Sequence, residues 1–88
     1  MKVKVFLRGT LSNIAVPEKE VFLPEDACVT DLLDFLVKQY GEVFGNKIKH
    51  PEMWQISING HLHILPAATG TKLKNQDEVI ILPLIFGG

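Results

Sequence analysis

The 88-residue sequence holds one cysteine, Cys28, which excludes an internal disulfide, a cysteine-only metal site and a cysteine-ligated iron–sulfur cluster. The chain therefore suits a reducing cytosol. No apolar run approaches the roughly 18 residues of a membrane span, and the opening Met1-Lys2-Val3-Lys4-Val5 alternates charge with apolar residues instead of building a signal-peptide core. A soluble, cytoplasmic protein without a membrane partner is expected. Charge of neither sign dominates: nine Lys+Arg stand against ten Asp+Glu for a net charge of -1, and the basic residues are scattered, so no nucleic-acid footprint emerges. The chain also lacks internal repeats, low-complexity tracts and a Walker-type phosphate loop.

What is present fits one small folded domain. Hydrophobic residues make up 47% and charged residues 22%, which is ordinary globular usage and far from the composition of disordered chains. Val3, Val5 and Leu7 alternate with Lys2, Lys4 and Phe6 in the period of a strand with one face on a core. A second strand is read over Glu20–Leu23, with Val21 and Leu23 inward, after turn chemistry between Gly9 and Pro17. Thr30 is the expected N-cap of a helix reaching Tyr40. Val29, Leu32, Leu33, Leu36, Val37 and Tyr40 recur on one face of that helix, and Gly41 suits its C-terminal stop. The stretch Glu42–Met53 reads as a surface excursion with at most a short helical turn. Trp54–Ile58 and His61–Leu65 read as strands joined by Asn59-Gly60, a type I′ hairpin signal. Pro66–Gly70 is a loop and Lys74–Asp77 a turn. Val79–Leu82 is a central strand, apolar enough for burial on both faces, and Pro83, which has no amide donor, is expected to end regular pairing.

Strand, strand, helix, strand, strand, strand is the order of an α+β ubiquitin-like β-grasp, a mixed, curled sheet of four or five strands packed on one main helix. Residues 1–83 form the expected domain and 84–88 a flexible tail. The sequence ends on Gly87-Gly88. With no Cβ, such an end threads extended through a channel too narrow for side chains, and Leu84–Gly88 spans roughly 16–18 Å when extended. Leu84, Ile85 and Phe86, if unpaired beyond the strand, would expose an apolar patch fit for a partner; the bland alternative is strand continuation into the core.

The Asn59-Gly60 hairpin, the Lys74-Asn75-Gln76-Asp77-Glu78-Val79 turn, the Val29-Thr30-Asp31-Leu32-Leu33 helix start and the Gly87-Gly88 end together resemble the MoaD/ThiS sulfur-carrier family, and within it the molybdopterin synthase small subunits. The resemblance implies that an E1-like adenylating enzyme uses ATP to activate the Gly88 carboxylate. Sulfur from a donor protein then makes a thiocarboxylate, and a synthase large subunit consumes it in making a molybdenum or tungsten pterin cofactor. Such a chain binds no cofactor and needs no catalytic side chain of its own. The segments around Glu42–Met53 and Leu65–Lys72 are longer than in compact thiamine-pathway carriers, which favours the molybdopterin branch. Two departures stand out. The family turn carries Gly where this chain has Gln76, which implies an altered backbone there, and Phe86 is large where the family residue is small, which suits an interface anchor.

Other readings use the same terminus: a ubiquitin-like modifier joined to lysines through Gly88, a carrier for thiamine or tRNA thiolation, or an interaction module with an inert tail. No metal site is assigned. His61 and His63 lie at i, i+2 on one strand face, but zinc needs three or four ligands and only His50 or distant carboxylates remain. Cys28 has no base partner and reads as structural. Asp26, Asp31 and Asp34 read as caps and a solvated helix face.

Overall fold

The computed structural model describes residues 1–84. Five strands, β1 (Lys2–Leu7), β2 (Glu18–Phe22), β3 (Trp54–Ile58), β4 (His61–Ile64) and β5 (Glu78–Pro83), form one sheet in the order β2-β1-β5-β3-β4. The β1–β5 pair is parallel and the other three are antiparallel. Helix α1 (Val29–Tyr40) crosses one face. Two shorter helices follow, α2 (Glu42–Ile48) and the single turn α3 (Leu65–Ala68). This is the expected mixed sheet on one main helix.

Alternation in β1 buries Val3, Val5 and Leu7, which meet Val21 of β2, Val79 and Ile81 of β5 and Leu32 and Leu36 of α1 in one core. Val79–Leu82 is central as expected, yet only Val79 and Ile81 are buried, while Ile80 and Leu82 are half-covered. The physical reason is the layer count. The helices cover one side of the sheet, so every second residue of β5 faces outward.

Helix α1 begins two residues earlier than Thr30 predicts, with Cys28 as N-cap. The first free amides are satisfied from another segment: Val29 and Thr30 N–H donate to the carbonyls of Thr71 and Thr69 at 3.0 Å each, and the Thr30 hydroxyl donates to Thr69 O at 2.9 Å. Asp31 closes the cap by accepting the Cys28 N–H at 2.8 Å and the thiol at 3.3 Å. The Cys28 amide, then the thiol, hold the Asp31 carboxyl below its ordinary value of 3.8. Gly41, at φ 82, ends the helix, its N–H donating to Val37 O at 2.7 Å.

The stretch read as a surface excursion contributes to the core. Phe44 of α2 is fully buried and sits 5.9 Å from Tyr40, ring to ring. The Trp54 indole N–H donates to Lys47 O at 2.9 Å and ties the end of α2 to β3. The loop read over Pro66–Gly70 begins instead as α3. Strand β4 stops at Ile64 because Leu65 turns into the core and Pro66 suits a first helical turn.

The Asn59-Gly60 turn has positive φ at both residues, 52 and 87, as a type I′ hairpin requires. The Asn59 amide also donates to Asp77 Oδ1 at 2.8 Å, and the Glu78 N–H donates to Asn59 Oδ1 at 2.9 Å. This side chain stitches the hairpin to the turn that launches β5. Gln76 takes φ 72, the left-handed region that favours Gly. The Gln76 N–H still donates to Lys2 O at 2.7 Å and Asp77 N–H to Lys74 O at 3.1 Å, and these bonds hold the left-handed backbone against the Cβ penalty. Gln76→Gly is therefore expected to stabilise the fold by about 0.5–1 kcal/mol, read as a higher urea midpoint at unchanged slope.

Candidate functional site

The site of interest is the place where β5 hands the chain to its last residues. Because β5 lies parallel to β1, it exits at the end of the sheet marked by Leu7 and Trp54. Pro83 does not end the pairing: it lies opposite Trp54, and the Leu84 N–H donates to Met53 O at 2.8 Å. Strand amides point alternately to the two neighbours. Since Leu84 N–H points to β3, the donorless nitrogen of Pro83 faces the other side, where β1 has already stopped at Leu7. Proline is tolerated here because no ladder bond is required of it.

Gly9 occupies that vacated side. It opens a 3-10 turn, Gly9–Asn13, with φ +66, and a Cβ built on it would lie 2.8 Å from Cδ and Cγ of Pro83. The missing side chain lets the first loop close against the ring. Gly9→Ala is expected to cost about 2–3 kcal/mol through left-handed strain and the clash, measured by denaturant unfolding, and adding Pro83→Ala should return part of that loss.

Register places the outward-facing side chains in rows. Phe6, Ile80, Ser57 and Leu62 form one row and Leu82, Gln55 and Ile64 the next. Leu62 and Ile64 are 59% and 54% exposed; Phe6, Ile80 and Leu82 are half-buried. The Arg8 guanidinium stands 5.5 Å from the Phe6 ring centre at the rim. A largely apolar stripe, interrupted by Ser57 and Gln55 of β3, thus crosses the open face of the sheet beside the tail exit. Among the residues singled out for partner binding, Leu84 is half-buried at the head of this stripe. Ile85, Phe86, Gly87 and Gly88 lie outside the described residues. Sequence reasoning missed the stripe itself. Its signal is the alternation His61-Leu62-His63-Ile64, whose apolar members point away from the helices.

Other candidate groups lie elsewhere. Cys28 and Asp31 are joined in the helix cap. His50 stands 3.5 Å from Glu52, away from His61 and His63. No cluster of three or more His, Cys, Asp or Glu suited to a metal ion occurs among the described residues. A cavity of about 490 Å³ lies between the end of β2 and α1 and is lined by Phe22, Glu25, Asp34 and Phe35 among others. Phe22 pairs with Lys2 at the start of β1, so this cavity is at the opposite end of the sheet from the tail exit. No described helix is long and apolar enough to cross a membrane.

The ThiS family model matches residues 5–88. The chain belongs to the ThiS family. Its ubiquitin-like β-grasp agrees with that of solved relatives. Similar to this ThiS-family protein is the putative molybdopterin converting factor subunit 1 of Pyrococcus furiosus, with 29% identity, a TM-score of 0.74 and 96% and 98% of the two chains covered. The small archaeal modifier protein 1 of Methanosarcina acetivorans matches with 28% identity, a TM-score of 0.70 and coverage of 99% and 96%. The BexX/CysO complex of Amycolatopsis orientalis matches at 20% identity, a TM-score of 0.70 and coverage of 98% and 99%, which speaks to the fold alone. Comparison with curated protein sequences gives no match.

Proposed function

We propose that this protein carries sulfur as a C-terminal thiocarboxylate on Gly88 and serves as the small subunit of a molybdopterin synthase. The observation that carries this reading is where β5 ends: the central strand leaves the sheet at Leu84, beside the exposed apolar residues Leu62 and Ile64. A bare carboxylate resists nucleophiles because oxide is a poor leaving group. Attack of the Gly88 carboxylate on the α-phosphorus of ATP, within an E1-like partner, releases pyrophosphate and leaves an acyl adenylate. Sulfide-level sulfur from a donor protein then attacks the acyl carbon, AMP departs, and the terminus is left as a thiocarboxylate. Division into activation, loading and delivery replaces one hard step by easier ones.

In this scheme the chain's own residues bind and aim. Leu62, Ile64, Ile80 and Leu82 dock the body, while Gly9 and Pro83 fix the direction in which the tail leaves. The nucleotide belongs to the partner, and the single cysteine suits work in the cytosol. Leu62→Asp/Ile64→Asp puts two charges into the proposed interface at exposed positions. It is expected to raise the KM for the carrier in the adenylation reaction by about tenfold or more, with little change in kcat and a normal melting temperature. An unchanged KM would remove the stripe from the docking surface.

A second reading is favoured by the Methanosarcina acetivorans similarity, which is nearly as high as that to the converting factor: the activated Gly88 acylates lysines of other proteins. Branched Gly-Gly adducts on host proteins would distinguish it from sulfur delivery.

A further inference from the structure

At the end of the sheet remote from the tail exit, a second cavity of about 260 Å³ opens between the β3–β4 hairpin and the segment leading into β5. His61 and His63 lie opposite Ile58 and Ile56, so both imidazoles emerge on the helix side of the edge strand and line this cavity. Lys72 and Lys74 line it from the facing segment. All four side chains are exposed, and none is in an ion pair among the described residues.

The one acid in the cavity wall offsets only one of the two ammonium charges. Asp77 is buried at 6% exposure, and its two oxygens are engaged, Oδ1 by the Asn59 amide at 2.8 Å and Oδ2 by the Lys74 N–H at 2.7 Å. Its carboxylate holds the turn together. Two ammonium groups and two imidazoles therefore line one concave space against a single buried carboxylate, an excess of positive charge even with both imidazoles neutral. Ammonium groups are donors only, and an imidazole offers at least one N–H donor in either protonation state. A compact dianion with several acceptor oxygens matches this donor set, and charge-assisted bonds to it are the strong kind.

We propose that this cavity binds a phosphomonoester, its phosphate held by Lys72, Lys74, His61 and His63 and its organic body in the remaining space. The volume exceeds what a bare phosphate fills, which points to an ester. The cavity and the exit of β5 lie at opposite ends of the sheet. The site is independent of the sulfur-carrier reading.

The test is a titration of the full chain, followed by proton–nitrogen correlation NMR at pH 6.5, with AMP, inorganic phosphate and a glutamate-rich peptide, ionic strength being held constant with chloride. AMP is expected to give saturable shifts confined to the amides around residues 61–63 and 71–74, and inorganic phosphate weaker shifts at the same places. Lys72→Ala/Lys74→Ala should weaken AMP binding about tenfold or more while leaving the rest of the spectrum in place. His61→Gln/His63→Gln, which changes the opposite wall, should weaken it as well. Shifts that follow ionic strength alone, shifts scattered over lysines elsewhere, or affinity unchanged in the lysine variant would overturn the site. Binding of phosphate but not AMP would contradict the ester assignment, and binding of the acidic peptide alone would contradict the phosphate.

Discussion

A chain shortened by Gly88 alone is expected to melt where the full chain melts and to yield no thiocarboxylate when supplied with its adenylating partner, ATP and sulfide. The two halves of this result have separate causes. Stability resides in the core built from β1, β5, α1 and their neighbours, all within the described residues, and a glycine has no side chain to add to it. In the proposed function, chemistry resides in the terminal carbonyl carbon. Shortening by one residue withdraws the carboxylate by roughly 3.3–3.6 Å, and reactions that depend on near-attack geometry lose most of their rate over smaller displacements than that. Normal sulfur loading by the shortened chain would reject Gly88 as the reacting residue. A large fall in melting temperature would place the last residue in the fold.

Phe44→Ala is expected to produce the largest loss of stability, about 3–5 kcal/mol, from lost transfer energy and the cavity left behind. Phe44 is fully buried, and its removal unseats α2 from Tyr40 and from the start of β3, which Trp54 ties to α2. A small domain has about 5–15 kcal/mol in total, so the variant should melt more than about 12 °C lower. Phe44→Leu, which keeps most of the volume, should cost about 1.5 kcal/mol or less. Denaturant unfolding measures both. A cost below about 1 kcal/mol for the alanine variant would mean that α2 is peripheral after all.

Phe44 also marks the limit of what the sequence makes legible. Period-two alternation in β1, helical spacing in α1 and the Asn59-Gly60 turn announce themselves because each repeats a local rule several times or needs a rare backbone angle. Helix α2 has seven residues and Gly45 within it, too few turns for periodicity to register, and isolated helices that short are unstable. It exists through tertiary contacts: Phe44 in the core and the Trp54 indole on Lys47 O. The start of α1 escaped for a related reason. Thr30 has the chemistry of a cap, but its hydroxyl donates to Thr69 O, and the amides of Val29 and Thr30 bond carbonyls roughly forty residues away in sequence.

The candidate site divides along the same line. The chemistry expected at Gly87-Gly88 is legible from residue type alone. The docking stripe is not, because Phe6, Ile80, Leu82, Leu62 and Ile64 come together only through the register of four strands. A run such as Val79–Leu82 looks buried on both faces, and the single layer of helices leaves one face open. Pro83 teaches a similar point. Whether a proline interrupts a sheet depends on which neighbour its nitrogen faces, and here that neighbour has ended.

The most direct test is the intact mass of the protein isolated from its native host under non-reducing, thiol-free conditions. Sulfur in place of one terminal oxygen on Gly88, exchanged back to oxygen on mild hydrolysis, is the result expected of a carrier. A population with only the unmodified carboxylate, from cells actively making the product, would contradict the account.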